Sequence, residues 1–133
     1  MRCSKALRAG ALAIFLATIA CSDLGSLRLR ASDLEIGPNP AVPGDQVVAT
    51  LIVLLAPVQP HTVVLTINGT EHSRISSSEA PPLPYVIQLG DAADLIATYG
   101  TGTHFARVEV HAEDANESAS TRSVSFELRD AAP

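Results

Sequence analysis

The sequence predicts an all-β chain: an antiparallel sandwich of about seven strands, preceded by a short apolar helix that is cleaved on export. Three observations predict it. Short segments alternate apolar and polar residues with period two along most of residues 27–130. Clusters of Gly, Pro, Asn and Asp separate those segments at short intervals. The one long non-alternating apolar run outside them lies at the amino terminus, behind three basic residues. The 133 residues allow one domain of ordinary size, and the 113 left after residues 1–20 still suffice for one two-layer core.

Arg2, Lys5 and Arg8 form a positive start, and residues 9–20 (AGALAIFLATIA) are a twelve-residue apolar run. As a helix that run spans about 18 Å, short of the roughly 30 Å hydrocarbon core. Ser22 and Asp23 then end it, so a cleaved leader is favoured over an uncleaved membrane anchor. Thr18 and Ala20 are small enough to suit an ordinary signal peptidase as well. Both cysteines, Cys3 and Cys21, lie in this leader or at its end, and the body of the domain has none. A lone cysteine in a small-residue, non-periodic segment beside a cleavage point reads as a modified residue rather than a paired or buried one. Thr18-Ile19-Ala20-Cys21 resembles the bacterial lipobox, with Thr18 where leucine is usual. The resemblance implies lipidation at Cys21: diacylglyceryl transfer to its sulfur, cleavage before it, and acylation (palmitate-type) of the new amine. Residues 1–20 are then a lipoprotein signal peptide and residues 21–26 a lipidated tether. Two or three acyl chains anchor far more firmly than one. Ser22, rather than Asp, after the cysteine points to the outer membrane of a bacterial cell envelope, with the periplasmic or surface face left open.

Beyond the tether, Leu27-Arg28-Leu29-Arg30 alternates apolar and charged and opens a first strand over residues 27–36. Gly37-Pro38-Asn39-Pro40 and Pro43-Gly44-Asp45 end it, Pro-Gly being the pair that suits the centre of a type II turn. Residues 46–55 (QVVATLIVLL) predict a central strand buried on one face and largely covered on the other. Their β-branched content favours a strand over a buried helix. Residues 62–67 set Val63, Leu65 and Ile67 on one face, and Asn68-Gly69 predicts a two-residue type I′ hairpin. In that register Thr70, His72 and Arg74 share the apolar face, so the returning strand is expected to be short or to lie at a wet rim.

Ala80-Pro81-Pro82-Leu83-Pro84 is too proline-rich for a central strand. Residues 85–89 make a short strand, and residues 91–99 (DAADLIATY) one helical turn capped by Asp91. Residues 104–112 (HFARVEVHA) turn Ala106, Val108, Val110 and Ala112 inward and Arg107, Glu109 and His111 outward. Residues 113–118 are an acidic turn, and residues 120–128 carry Val124, Phe126 and Leu128 inward. Counting strand directions from the tether puts loops 57–61 and 114–118 at the near end. Loops 38–45, 68–69 and 91–101 fall at the far end.

After residue 20 the chain carries six arginines, no lysine and fourteen carboxylates, a net charge of −8. That balance argues against nucleic acid as a partner and against broad adhesion to anionic lipid. No G-x-S-x-G elbow is present, and the acids are scattered over loops and outward faces. His61, His72, His104 and His111 lack zinc-ligand spacing. Asp114-Ala115-Asn116-Glu117 offers oxygens without the spacing of a calcium loop. Asn68-Gly69-Thr70 and Asn116-Glu117-Ser118 match the glycosylation sequon and are read as turn chemistry. No catalytic residue, cofactor or metal ligand is assigned, and Cys21 is the single site residue.

The stretch GTHFARVEVHAEDANESASTRSVSFEL resembles the last two strands of bacterial immunoglobulin-like and fibronectin type III-like domains. PNPAVPGDQVVATL resembles the entry into their second strand. The resemblance implies a seven-stranded Ig-like β-sandwich over residues 27–130, without the tryptophan and cysteine pair of antibody-type domains. Tyr99 stands where a tyrosine corner is expected. The expected function is a non-catalytic envelope lipoprotein, an Ig-like module that binds or scaffolds a protein partner at the membrane. A calcium- or carbohydrate-binding module is the alternative, though two tyrosines and three phenylalanines offer few stacking platforms. An enzyme accessory subunit is the weaker one.

Overall fold

The structure, a computed structural model, describes residues 27–131. Cys21, the leader and the tether lie outside the described residues. In order, the elements are β1 Arg28–Ala31, β2 Glu35–Gly37, β3 Gln46–Leu51, β4 Val53–Ala56, β5 His61–Ile67, β6 Thr70–Ser77, β7 Tyr85–Asp91, α1 Ala92–Tyr99, β8 Gly102–Ala112, β9 Glu117–Ser120 and β10 Val124–Leu128. One sheet runs β10-β8-β5-β6, with β9 beside β8. A second runs β2-β3-β7, and β1 and β4 form a separate two-stranded sheet, linked to it through the Ser32 and Ile52 backbone. Every ladder is antiparallel. A single parallel bridge, Ala41 to Leu128, ties the loop after β2 to the edge of the first sheet.

The period-two alternation becomes the core. Val47, Ala49 and Leu51 of β3 face Val63, Leu65 and Ile67 of β5, with Val108, Val110 and Phe126 filling the same interior. Each of the nine is buried to 2% exposure or less, and burying a side chain of Val, Leu or Phe size contributes roughly 1.5–3 kcal/mol. Asn68 and Gly69 adopt φ of 54° and 84°, the left-handed pair that a type I′ turn requires.

Ten strands stand where seven were expected, because three expected strands are each cut in two. The 27–36 strand breaks at Ser32, opposite a break at Ile52 in the 46–55 strand. The last strand starts early, at Glu117, and breaks at residues 121–123. At both places one hydroxyl takes over a backbone role. Ser32 N–H donates to the Ile52 carbonyl (2.9 Å) while the Ile52 N–H donates to Ser32 Oγ (2.7 Å). Thr121 N–H likewise donates to the Val108 carbonyl (2.9 Å), and the Val108 N–H donates to Thr121 Oγ1 (3.0 Å). Each hydroxyl donates its own hydrogen bond to the next carbonyl, that of Asp33 or Arg122. The ladder geometry fails there, yet the N–H groups of Ser32, Ile52, Thr121 and Val108 each keep an acceptor.

The awkward face of β6 is resolved by a bulge. Leu65 pairs with Ser73 and Thr66 with Glu71, so His72 is an extra residue that reverses the strand's parity. Beyond it Ser73 and Ile75 oppose Leu65 and Val63, and Arg74 turns to the outer side with Val64. The strand is eight residues long rather than short, and it forms the wet rim of its sheet.

Three further expectations are revised. The helix over 91–99 has two turns rather than one, capped by the Asp91 side chain, which accepts from Ala93 N–H. The acidic turn ends at Asn116, since Glu117 already pairs with Ala112. The outer face of the 46–55 segment is half-covered along β3, at Val48 and Thr50, but open at Ile52 and along β4, where Ile52 and Leu54 are 38% and 48% exposed. Among the described residues no helix is long and apolar enough to cross a membrane.

Pairing groups the loops into two poles. Glu113 N–H bonds to the Pro60 carbonyl and Ala115 N–H to Gln59 Oε1, joining loops 57–61 and 113–118 at the end where β1 begins. Gly44 N–H to Asp91 Oδ1 and Ala92 N–H to the Asp45 carbonyl join the other pole.

Candidate functional site

Cys21, the one site residue assigned from the sequence, lies outside the described residues, so the candidate surfaces are those of the sandwich. Two of its open grooves lie on opposite sheets. The first runs along the outer face of the β1-β4 pair, with a volume of 600 Å³. Cross-strand pairing sets Arg28 opposite Ala56 and Arg30 opposite Leu54, so both guanidinium groups and an exposed leucine share one face. Neither arginine is ion-paired among the described residues, whereas Arg74 and Arg129 are.

The second groove, 440 Å³, lies on the outer face of the larger sheet between β6, β5, β8 and β9. Thr62 Oγ1 donates to Glu113 Oε2 (2.7 Å), and Ser76 Oγ, 3.1 Å from Thr62 Oγ1, donates back to it. Arg74 holds Glu71 through two bonds, Nε to Oε2 at 3.0 Å and an Nη to Oε1 at 2.8 Å. The bulge at His72 makes this pair possible by bringing positions three apart to one side. The Arg74 hydrogen bonds hold the Glu71 carboxyl below its usual range, and Arg129 does the same for Glu127.

One contact in this groove has the look of a nucleophile and its base: His111 Nδ1 lies 2.9 Å from Ser118 Oγ. The two residues are a directly opposed pair on β8 and β9. Among the described residues no carboxylate bonds the other ring nitrogen, so nothing orients the imidazole as a triad would. The contact is that of a cross-strand polar pair.

The remaining histidines hold the sandwich. His72 Nε2–H donates to the Leu89 carbonyl (3.0 Å), and the Tyr99 hydroxyl donates to His72 Nδ1 (2.7 Å). His104 Nε2–H donates to the Gly100 carbonyl (2.8 Å), and Asn68 Nδ2–H donates to His104 Nδ1 (3.0 Å). Asn68 is fixed in that orientation because its Oδ1 accepts the Phe105 N–H. His72, Tyr99, His104 and Phe126 form a file of tilted rings with centroids about 6 Å apart. His61 donates to the Gln59 carbonyl. Tyr99 is therefore no tyrosine corner: it closes helix α1 and bonds to an imidazole, not to upstream backbone. Burial pushes the hydroxyls of Tyr99 and Tyr85 above the usual tyrosine range. Among the described residues no three of His, Cys, Asp and Glu gather as a metal site would require.

No protein-family model matches the chain, and no curated protein matches it. Among solved structures it is similar to the CARDB domain of a protein from Pyrococcus furiosus, described as a complex with di-metal ions. The TM-score is 0.52 at 14% identity, over 77% of this chain and 89% of that one. The fold is Ig-like. At that identity the likeness concerns fold alone, and it agrees with the antiparallel arrangement described above.

Sequence reasoning found the outward Glu109 and His111, and the alternation of Arg28 and Arg30 with Leu27 and Leu29. It missed the apolar half of the first groove, because Leu54 reads as part of a covered strand until its pairing with Arg30 is known.

Proposed function

We propose that the chain is a non-catalytic Ig-like module of the bacterial cell envelope, held by a lipid on Cys21, that binds or scaffolds a protein partner. One observation above all supports this reading. The buried polar side chains, His61, Thr62, His104 and Thr121, are all committed to bonds within the sandwich. Among the described residues this leaves open surface for function, the usual form of a recognition site. The lipobox-like leader supplies the address, and Ser22 favours the outer membrane.

The decisive measurement is mass spectrometry of the amino terminus of native protein, which should show residue 21 bearing diacylglyceryl and an acyl chain. A bare residue 21 sinks the reading. Cys21→Ala is expected to move the protein from membrane to soluble fraction with its melting temperature unchanged. A calcium- or metal-binding module is a second reading, favoured only by the metal ions of the Pyrococcus domain. Added calcium is expected to leave the melting temperature where it is, and a rise of several degrees would reverse the order of the two readings.

A further inference from the structure

We propose that the outer face of the β1-β4 pair rests on the anionic bilayer that holds the anchor, so that the domain lies on its side and does not stand on its pole. The inference rests on the lipid-anchor reading of Cys21 and adds an orientation to it.

Three observations carry it. Leu27 follows Cys21 by six residues, a span that cannot exceed about 21 Å in any conformation. That is less than the width of a domain of this size, whose radius of gyration is about 13 Å. Whatever adjoins β1 is therefore held against the lipid. The pole at which β1 begins is a poor surface to present there. Glu79, Glu113, Asp114 and Glu117 are all exposed around it, and an anionic surface repels them. The face beside that pole has the opposite character. Arg28 and Arg30 project from it unpaired among the described residues, with Leu54 exposed between their strand and the open edge. Asp33 lies in the break after β1 and Glu35 in β2, so the positive charge is concentrated at the tethered end.

The magnitudes explain why both the tether and the arginines are needed. A basic residue near an anionic lipid surface favours contact roughly fivefold, so two favour it roughly 30-fold (about 2 kcal/mol). That is too little to hold a chain whose net charge after residue 20 is −8 from free solution. It is enough to select among orientations once a short tether supplies a high effective concentration.

The test uses the full lipidated protein in vesicles of phosphatidylglycerol and phosphatidylcholine. A fluorophore is placed on Leu54→Cys or, on the opposite sheet, on Phe105→Cys. Cys21 is blocked by its lipid, so each label is unique. A headgroup-linked quencher should quench the Leu54 label and spare the Phe105 label. Arg28→Gln with Arg30→Gln should lower the docked-to-free ratio roughly 30-fold. Pure phosphatidylcholine vesicles or high salt should do the same to the unaltered arginines, a control independent of any folding defect. Equal quenching at the two positions, or quenching at Leu54 that ignores both the arginines and the lipid charge, overturns the proposal while the protein still floats with the vesicles. Failure to float, with an unmodified residue 21, overturns the anchor reading and this inference with it.

Discussion

The Ser32/Ile52 and Thr121/Val108 breaks use one device in two surroundings. In both, a hydroxyl accepts the partner strand's N–H where a carbonyl would normally stand, then donates to the next carbonyl along its own chain. The surroundings differ. Ser32 and Ile52 are exposed, whereas Thr121 is 6% exposed and Val108 fully buried. A backbone N–H deprived of its acceptor at Ser32 can turn to water. At Thr121 it cannot. The same hydrogen bond is thus replaceable at one break and necessary at the other, because the cost lies in the unsatisfied group and not in the bond itself.

The sharpest way to break this contrast is Thr121→Val, which keeps the β-branched shape and removes only the acceptor. It should cost about 2–3 kcal/mol in urea unfolding, with Thr121→Ser recovering most of the loss. Ser32→Ala should cost about 0.5–1 kcal/mol in the same measurement. If the two substitutions cost the same, burial is not what separates them. The smallest expected effect concerns a third hydroxyl, that of Tyr99, which joins helix α1 to the bulge at His72. Burial raises the Tyr99 and Tyr85 hydroxyls above their ordinary values, so the unfolded chain loses those protons first as pH rises. Their contribution is fully present below about pH 10 and is lost as pH climbs through the folded-state values. Tyr99→Phe should flatten part of that alkaline decline, read as unfolding midpoint against pH. A decline of unchanged slope would remove Tyr99 from the account.

The breaks also mark where the sequence stops being informative. Ser32, Ile52 and Thr121 sit inside alternating segments and look like ordinary strand residues. Nothing local distinguishes a serine that faces solvent from one that stands in for a carbonyl. The bulge at His72 was different, since the hairpin register placed three polar residues on an apolar face, and that conflict was itself a signal. For the candidate surface, alternation set Arg28 and Arg30 on the face opposite Leu27 and Leu29. It could not supply Leu54, which becomes their neighbour only through a pairing between positions 24 apart.

By itself the sequence determined what short-range physics determines: the Asn68-Gly69 turn from its φ demands, the Asp91 cap, and the inward faces of β5, β8 and β10 from a period of two. Tertiary structure decided which strands meet, and so where the ladders break, which hydroxyls become structural, and which arginines lie beside exposed leucine. Those outcomes depend on partners distant in sequence, 13 residues for Thr121 with Val108 and 20 for Ser32 with Ile52. A local pattern can say that a residue faces out, but only the partner strand says what it faces.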